Sequence, residues 1–586
     1  MPDESESRWM GKFPADLTLA ELARALMGIV PHIDNSYFSR ARWFQHKHVM
    51  ISGKRLRDVG EIRSGENIAL PAIIDIDFKK CDSKGEGTKG EDTEPYYVPV
   101  LLQSRRRSWR WVGADQDHPA GTPGALGPGT PNMQGPGMLL HVNEWEGSPA
   151  FSLYDGVASP IFISAIVDKM RNSDDLPAMR GGFHFRRVGK ALEQWGEVTA
   201  AHALPGEHSN SLVVVEDESG YRGVLKVFRR LLPGISPELE MLLRLQLETQ
   251  FRAMPLAHGY MSYCDESRRE YTICLLQEFL ENSGDAWELF LECLGRDSGT
   301  DEYVEELACL VADLHFALAS LSGPDFVPEP VTESDIDGIR HRIKQKLAEL
   351  IPVLKRLTAR YPDNTGKIRA MADEVVAGRR ELERTIESLV SGVVNKEGIG
   401  GAIGAGAKFR IHGDLHLGQF LWMGQGSGFA VIDFEGEPLR GIGQRRLKES
   451  PLRDLAGVLR SFDYAAHSAH SPLIRPGHLI DSDCPVDSGA NPGDEDSPLA
   501  GLGRAPVERA LAEWLKHTEE LFITSYLRHT MELGGRYLPE SERLFKSLLS
   551  IFKLEKSMYE VLYEVGNRPG WVGIPLAGMV GILREL

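Results

Sequence analysis

Two short segments near residue 412 and residue 433 constrain this chain more than any other feature. RIHGDLHLGQFLW and FAVIDFEGEP are each an apolar run carrying acidic residues, joined by the Gly-rich turn MGQGSG. Each is expected to be a strand that delivers carboxylates to one place. Either one alone would read as a strand with an incidental acidic end. Together they bring acidic groups and an amide, Gln419, to one hairpin, and such oxygen donors suit a hard divalent cation.

Phosphoryl transfer needs such a set, because it is mostly positioning plus charge neutralisation. Protein kinases use H-R-D-x-x-x-x-N followed by D-F-G. Here His412-Gly413-Asp414 is followed by four residues and then Gln419, the same offset from acid to amide. Asp433-Phe434-Glu435 stands at the D-F-G position, nineteen residues after Asp414.

Composition agrees with a globular enzyme. The 586 residues are 42% hydrophobic and 26% charged, and ~150 residues per domain gives roughly four domain-sized units. The formal charge of −18 disfavours a nucleic-acid partner. The longest uncharged apolar stretch, 570–583, is too short and too rich in Gly and Pro to span a bilayer. MPDESESRWM carries no apolar secretory core, so the cytoplasm is the expected compartment. Cysteines at 81, 264, 274, 293, 309 and 484 form no CxxC pair.

Residues 69–78 and 96–103 read as strands separated by a charged loop or hairpin, and 118–137 as a flexible Gly/Pro insertion. SLVVVED (211–217) and YRGVLKVFRRL (221–231) read as two strands around an ESG turn, followed by a helix over 236–251 and a strand over 271–281. Long helical patterns follow. GIGGAIGAGAK (398–408) and 471–501 read as loops, and the first is not a Walker loop because it lacks GK[ST].

Lys226, between apolar residues in GVLKVF, is the candidate for the strand lysine that meets nucleotide phosphates. Glu240 is expected to pair with it, while Glu238 is expected to face elsewhere. No G-x-G-x-x-G precedes that strand. Gly206 to Ser211, with Ser209 and Asn210, stands in its place as a tight turn for phosphate oxygens. Zinc binding by His412 and His416 is disfavoured, and His412 is expected to orient its loop. In EKSMYEVLYEVGNRPGW, Lys556, Tyr559, Glu560 and Tyr563 share one helical face, with Met558, Val561, Leu562 and Val565 opposite. That face reads either as a sugar-stacking wall or as a surface stripe with an i,i+4 ion pair.

HGDLHLGQ, VIDFEGEP, SPLRDLAGVLRSFDYAA, LKVFRRL, LQEFL with GDAWEL, and KSMYEVLYEVGNRPGW together resemble the bacterial maltokinases, including the form fused to trehalose synthase. The resemblance covers about 195–586, and ARWFQHKH (41–48) is similar to that family's N-terminal cap. It implies an α+β, bilobal, aminoglycoside-phosphotransferase-like kinase fold with a β-rich cap at 1–165, an ATP-binding lobe at 166–283 and a helical lobe at 284–586 carrying an insertion at 466–505. It implies transfer from ATP to maltose with Mg²⁺, in a monomer or homodimer with trehalose synthase as a partner.

Carried over, Asp414 is the base and Gln419, Asp433 and Glu435 meet the metal. Lys226, Glu240, Ser209 and Asn210 meet the phosphates, and Gln277, Glu278 and Phe279 form the adenine hinge. Lys556, Tyr559, Glu560, Tyr563 and Trp571 form the sugar wall, and His412, Arg453 and Asp454 support the loop. Glucosamine kinases share the fold and similar motif blocks, so glucosamine or another sugar is the alternative acceptor. A non-catalytic pseudokinase is the remoter reading.

Overall fold

A computed structural model describes residues 17–585 apart from 42, 45, 47–48, 65–66, 82–86, 105–137, 143–150, 205–209, 297–298, 361–365, 395–401, 439 and 469–503. The insertion expected at 118–137, nearly all of 466–505, and Ser209 therefore lie outside the described residues. The chain forms two compact units, one of residues 1–239 with 256–279, the other of 240–255 with 280–586.

The first unit contains two antiparallel sheets. In the first, the strands run in the order Ile51–Val59, Asn67–Cys81, Gly87–Ser104, Phe151–Asp155, Met138–Val142, with Ile62–Ser64 also paired to Asn67–Cys81. The near-continuous apolar run ALPAIIDIDF follows from burial on both faces. Ile68, Leu70, Ile74 and Ile76 pack with Leu22, Leu26 and Phe38, while Ala69 and Ile73 point to the other side. The helix Leu19–Ile29 starts at a capping box in which Thr18 and Glu21 satisfy each other's backbone amides.

The second sheet has seven strands, in the order Asp175–Pro177, Gly182–Arg187, Ala257–Cys264, Glu270–Glu278, Arg222–Val227, Ser211–Asp217, Val198–Ala203. The ESG turn holds because Asp217 Oδ1 accepts from the Ser219 and Tyr221 amides while Gly220 takes a φ of 83°. Ile73 and Tyr97 of the first sheet share a core with Phe183, Val213 and Leu225 of the second. Backbone bonds also join them, from Tyr97 N–H to the Arg229 carbonyl at 2.7 Å and from Leu231 N–H to the Pro95 carbonyl at 2.9 Å. The boundary expected at 165 falls inside the helix Pro160–Asn172, whose Phe162 and Ile166 fill that shared core. Both sheets belong to one compact unit.

The second unit is mainly helical, with two small antiparallel hairpins. Glu329–Thr332 pairs with Ala402–Lys408, so the segment expected as a loop is a strand over its described part. Its glycines serve close backbone approach: Gly406 has a φ of 84°, and a Cβ there would lie 2.5 Å from the Tyr537 carbonyl oxygen. The other hairpin pairs Phe420–Trp422 with Phe429–Val431. The preceding RIH segment was expected as strand, but it is irregular after an isolated bridge at Phe409. Among the described residues, no helix is long and apolar enough to cross a membrane.

Candidate active site

Within the second unit, the loop carrying Asp414 is fixed from two sides. Asp454, in the first turn of the helix Leu452–Ser468, accepts from the His412 amide at 2.9 Å and the Gly413 amide at 2.8 Å. Burial opposes the charge on Asp454, but a hydrogen bond from His315 and these contacts hold its carboxyl below the usual carboxylate range. Gly413 has a φ of 84°, a left-handed conformation that suits glycine. Gly457 lets the helix backbone reach the loop, since a Cβ there would sit 2.3 Å from the Leu415 carbonyl oxygen.

His412 bridges its own loop and the neighbouring strand. Its Nε2 lies 2.9 Å from the Ile432 carbonyl, which can only accept, so Nε2 carries the proton. Nδ1 then accepts from the Asp414 amide at 3.4 Å, and the ring packs on Phe434 with centroids 5.0 Å apart. One histidine thereby links the Asp414 loop to the strand that leads to Asp433.

Gln419 and Asp433 meet as their spacing suggests. The amide Nε2 lies 3.3 Å from Asp433 Oδ2 and 3.3 Å from His416 Nε2. Asp433 adopts a φ of 65°, rare outside glycine and found where surrounding structure imposes it. Glu435 lies nearby in sequence and approaches Arg445 at 3.7 Å. Carboxylate and amide oxygens of this kind suit Mg²⁺.

Asp414 itself meets the last long helix, Glu542–Asn567. Lys556 Nζ donates to Asp414 Oδ1 at 2.9 Å and lies 3.4 Å from Glu437 Oε1. Burial opposes the ammonium charge, but Asp414, Glu437 and Glu560 raise its pKa well above the usual lysine range. Burial likewise opposes the charge on Glu437, yet Lys556, Arg453 and Arg440 bring it down to about 2. Arg453 also donates to Glu555 at 3.0 Å. A small pocket is lined by Asp414, Glu437, Arg453, Phe552 and Lys556.

The expected sugar wall divides. Lys556 points to Asp414. Glu560 is held by Arg460 Nε at 2.9 Å and is part-buried, and its desolvation pushes its carboxyl up. Tyr559 and Tyr563 lie near-parallel at 6.3 Å, and Lys346 and Lys556 flank the Tyr559 ring at 4.9 and 5.0 Å. Trp571 stacks instead against Tyr464, 6.4 Å between centroids, and under Arg568.

In the first unit, Lys226 Nζ lies 2.6 Å from Glu238 Oε2, both buried. The pairing expected with Glu240 is incorrect. Two positions on a helix are about 200° apart, so only one of the two glutamates can face the lysine. The helix begins at Pro237, which puts Glu238 in its first turn. Glu240 instead holds Arg410 at 2.8 Å and Arg446 at 2.6 Å, contacts within the second unit.

The hinge expectation also shifts. Gln277 and Glu278 are sheet residues, paired with Val224 and Gly223, and the Glu278 amide donates to the Leu256 carbonyl at 2.8 Å. That amide is not available to a ligand. Phe279 lies under the Arg222 guanidinium at 4.4 Å. Asn210 sits at the start of the strand Ser211–Asp217. The sequence reading missed Glu437 and Lys346. The acidic FEGEP stretch was a signal for the first, while nothing local marked the second.

Residues 200–436 match the model of the phosphotransferase enzyme family APH. A solved glucosamine kinase, in complex with glucosamine, ADP and inorganic phosphate, superposes with a TM-score of 0.55 at 17% identity, covering 95% of this chain and 99% of that one. The fold is that of an aminoglycoside-phosphotransferase-like kinase. Lys226, Glu238, Asp414, Gln419 and Asp433 all lie inside the matched span, whereas Lys556 lies beyond it. A glucosamine kinase from Mycolicibacterium smegmatis is 24% identical over 405 residues, 67% of this chain and 83% of the relative. One from Streptacidiphilus jiangxiensis is 21% identical over 400 residues, 66% and 74% respectively.

Proposed function

We propose that this chain is an ATP-dependent sugar kinase and that glucosamine is its favoured acceptor. The observation that carries the proposal is the placement of Asp414. His412 and Asp454 fix its loop, and His412 ties it to the strand leading to the Gln419–Asp433 pair. The acceptor preference rests on the relatives reported above, which shift the reading from maltose, expected from the sequence, to glucosamine.

In this reading an acceptor hydroxyl donates its proton to the Asp414 carboxylate as its oxygen attacks the γ-phosphorus of ATP. Asp433 and Gln419 would hold Mg²⁺, which supplies charge neutralisation at the phosphates when bound. Lys226, kept in place by Glu238, meets the nucleotide phosphates.

The test is ADP release with glucosamine, maltose and glucose offered separately. ADP release is expected with glucosamine. Asp414→Asn should lower kcat at least ~100-fold with ATP affinity kept. Wild-type turnover by that variant would remove the assigned base. Turnover with maltose alone would move the acceptor and keep the chemistry.

A further inference from the structure

Lys556 was expected to line a sugar wall. Its ammonium group instead lies on one oxygen of the candidate base, Asp414 Oδ1, at 2.9 Å. Among the described residues no hydrogen bond reaches the other oxygen, Oδ2. The lysine comes from a helix 142 positions further along the chain. It is part-buried, and Glu437 at 3.4 Å anchors its other side.

We infer that Lys556 is a positioning residue for the base. Its ammonium occupies Oδ1, fixes the rotation of the carboxylate and leaves Oδ2 to accept the acceptor's proton. This inference rests on the kinase reading of the site. The chemistry supports it in two ways. A charge-assisted hydrogen bond defines direction as well as energy. A positive charge within hydrogen-bond distance also favours the ionised carboxylate that a base requires.

Other charged groups face Asp414: His416 from its own loop, Glu437 from the segment after Asp433, and Arg453 and Asp454 from the helix Leu452–Ser468. Glu560 lies one turn beyond Lys556 on the same helix. Arg453 is already committed to Glu555 and Glu437, so the bond to Asp414 falls to Lys556.

The experiment compares wild type, Lys556→Met and Lys556→Arg with Mg·ATP and glucosamine. Lys556→Met is expected to lower kcat about 100-fold, with the KM values for ATP and for the acceptor unchanged. Lys556→Arg should recover part of kcat. Should the methionine variant not fold, Lys556→Gln serves the same comparison. An unchanged kcat, or a rise confined to the acceptor KM, overturns the inference and restores the sugar-wall role. Were the wild type to turn over no acceptor, the kinase reading would fail by itself. The melting temperatures of Asp414→Asn, Lys556→Met and the double variant then decide. Non-additive shifts uphold the pair, and additive shifts overturn it.

Discussion

Glu238 and Glu240 sit two positions apart and do unlike work. Glu238 neutralises Lys226, whereas Glu240 neutralises Arg410, a guanidinium only 1% exposed. Glu238→Gln is therefore expected to raise the ATP KM about tenfold and, because Lys226 is buried as well, to lower the melting temperature. Glu240→Gln should lower the melting temperature and leave the ATP KM unchanged, since leaving a buried cation unpaired costs about 3–5 kcal/mol. Steady-state kinetics and thermal melts of the two variants check this. A swap of the two phenotypes would return Glu240 to the nucleotide. The approach of Gln419 to Asp433 was legible because the two lie on one short stretch at a fixed offset. The lysine's partner was not: the helix start was expected correctly to within one residue, yet which of its faces meets the strand is set by tertiary packing.

At the scale of elements, the Asp414 loop depends on how closely a helix can approach it. The helix Leu452–Ser468 supplies Asp454 to two loop amides and brings Gly457 against the Leu415 carbonyl. A methyl group at 457 has no room, so Gly457→Ala is expected to cost about 1–3 kcal/mol and to lower kcat as the loop shifts. A melting temperature and kcat equal to wild type would show that the loop is placed by other contacts. The same logic explains why residues 402–408 were read as a loop. Gly and Ala carry little strand signal, and the close approach to Tyr537 that requires glycine is a tertiary fact. The strand SLVVVED, by contrast, was legible to the residue, because apolar β-branched residues and the Glu218–Gly220 turn act locally.

At the scale of the molecule, the two sheets of the first unit behave as one body. They share the core containing Ile73, Tyr97, Phe183 and Val213, and Asp155 holds the buried Arg229 at 2.8 Å. Deletion of residues 1–158 would expose that core, so the remaining chain is expected to be insoluble or to lack a cooperative melt. A soluble, cooperatively melting fragment would show that the N-terminal sheet is a dispensable cap. The most direct test of the central claim, that Asp414 directs transfer of phosphate from ATP to a sugar hydroxyl, is ³¹P NMR of the full chain with Mg·ATP and glucosamine. Maltose and the Asp414→Asn variant are run alongside. The expected result is a new sugar-phosphate resonance, with ADP formed in equal amount, present for the wild type and absent for the variant. A resonance undiminished in Asp414→Asn, or ATP bound but no phosphate ester from any sugar, would contradict it.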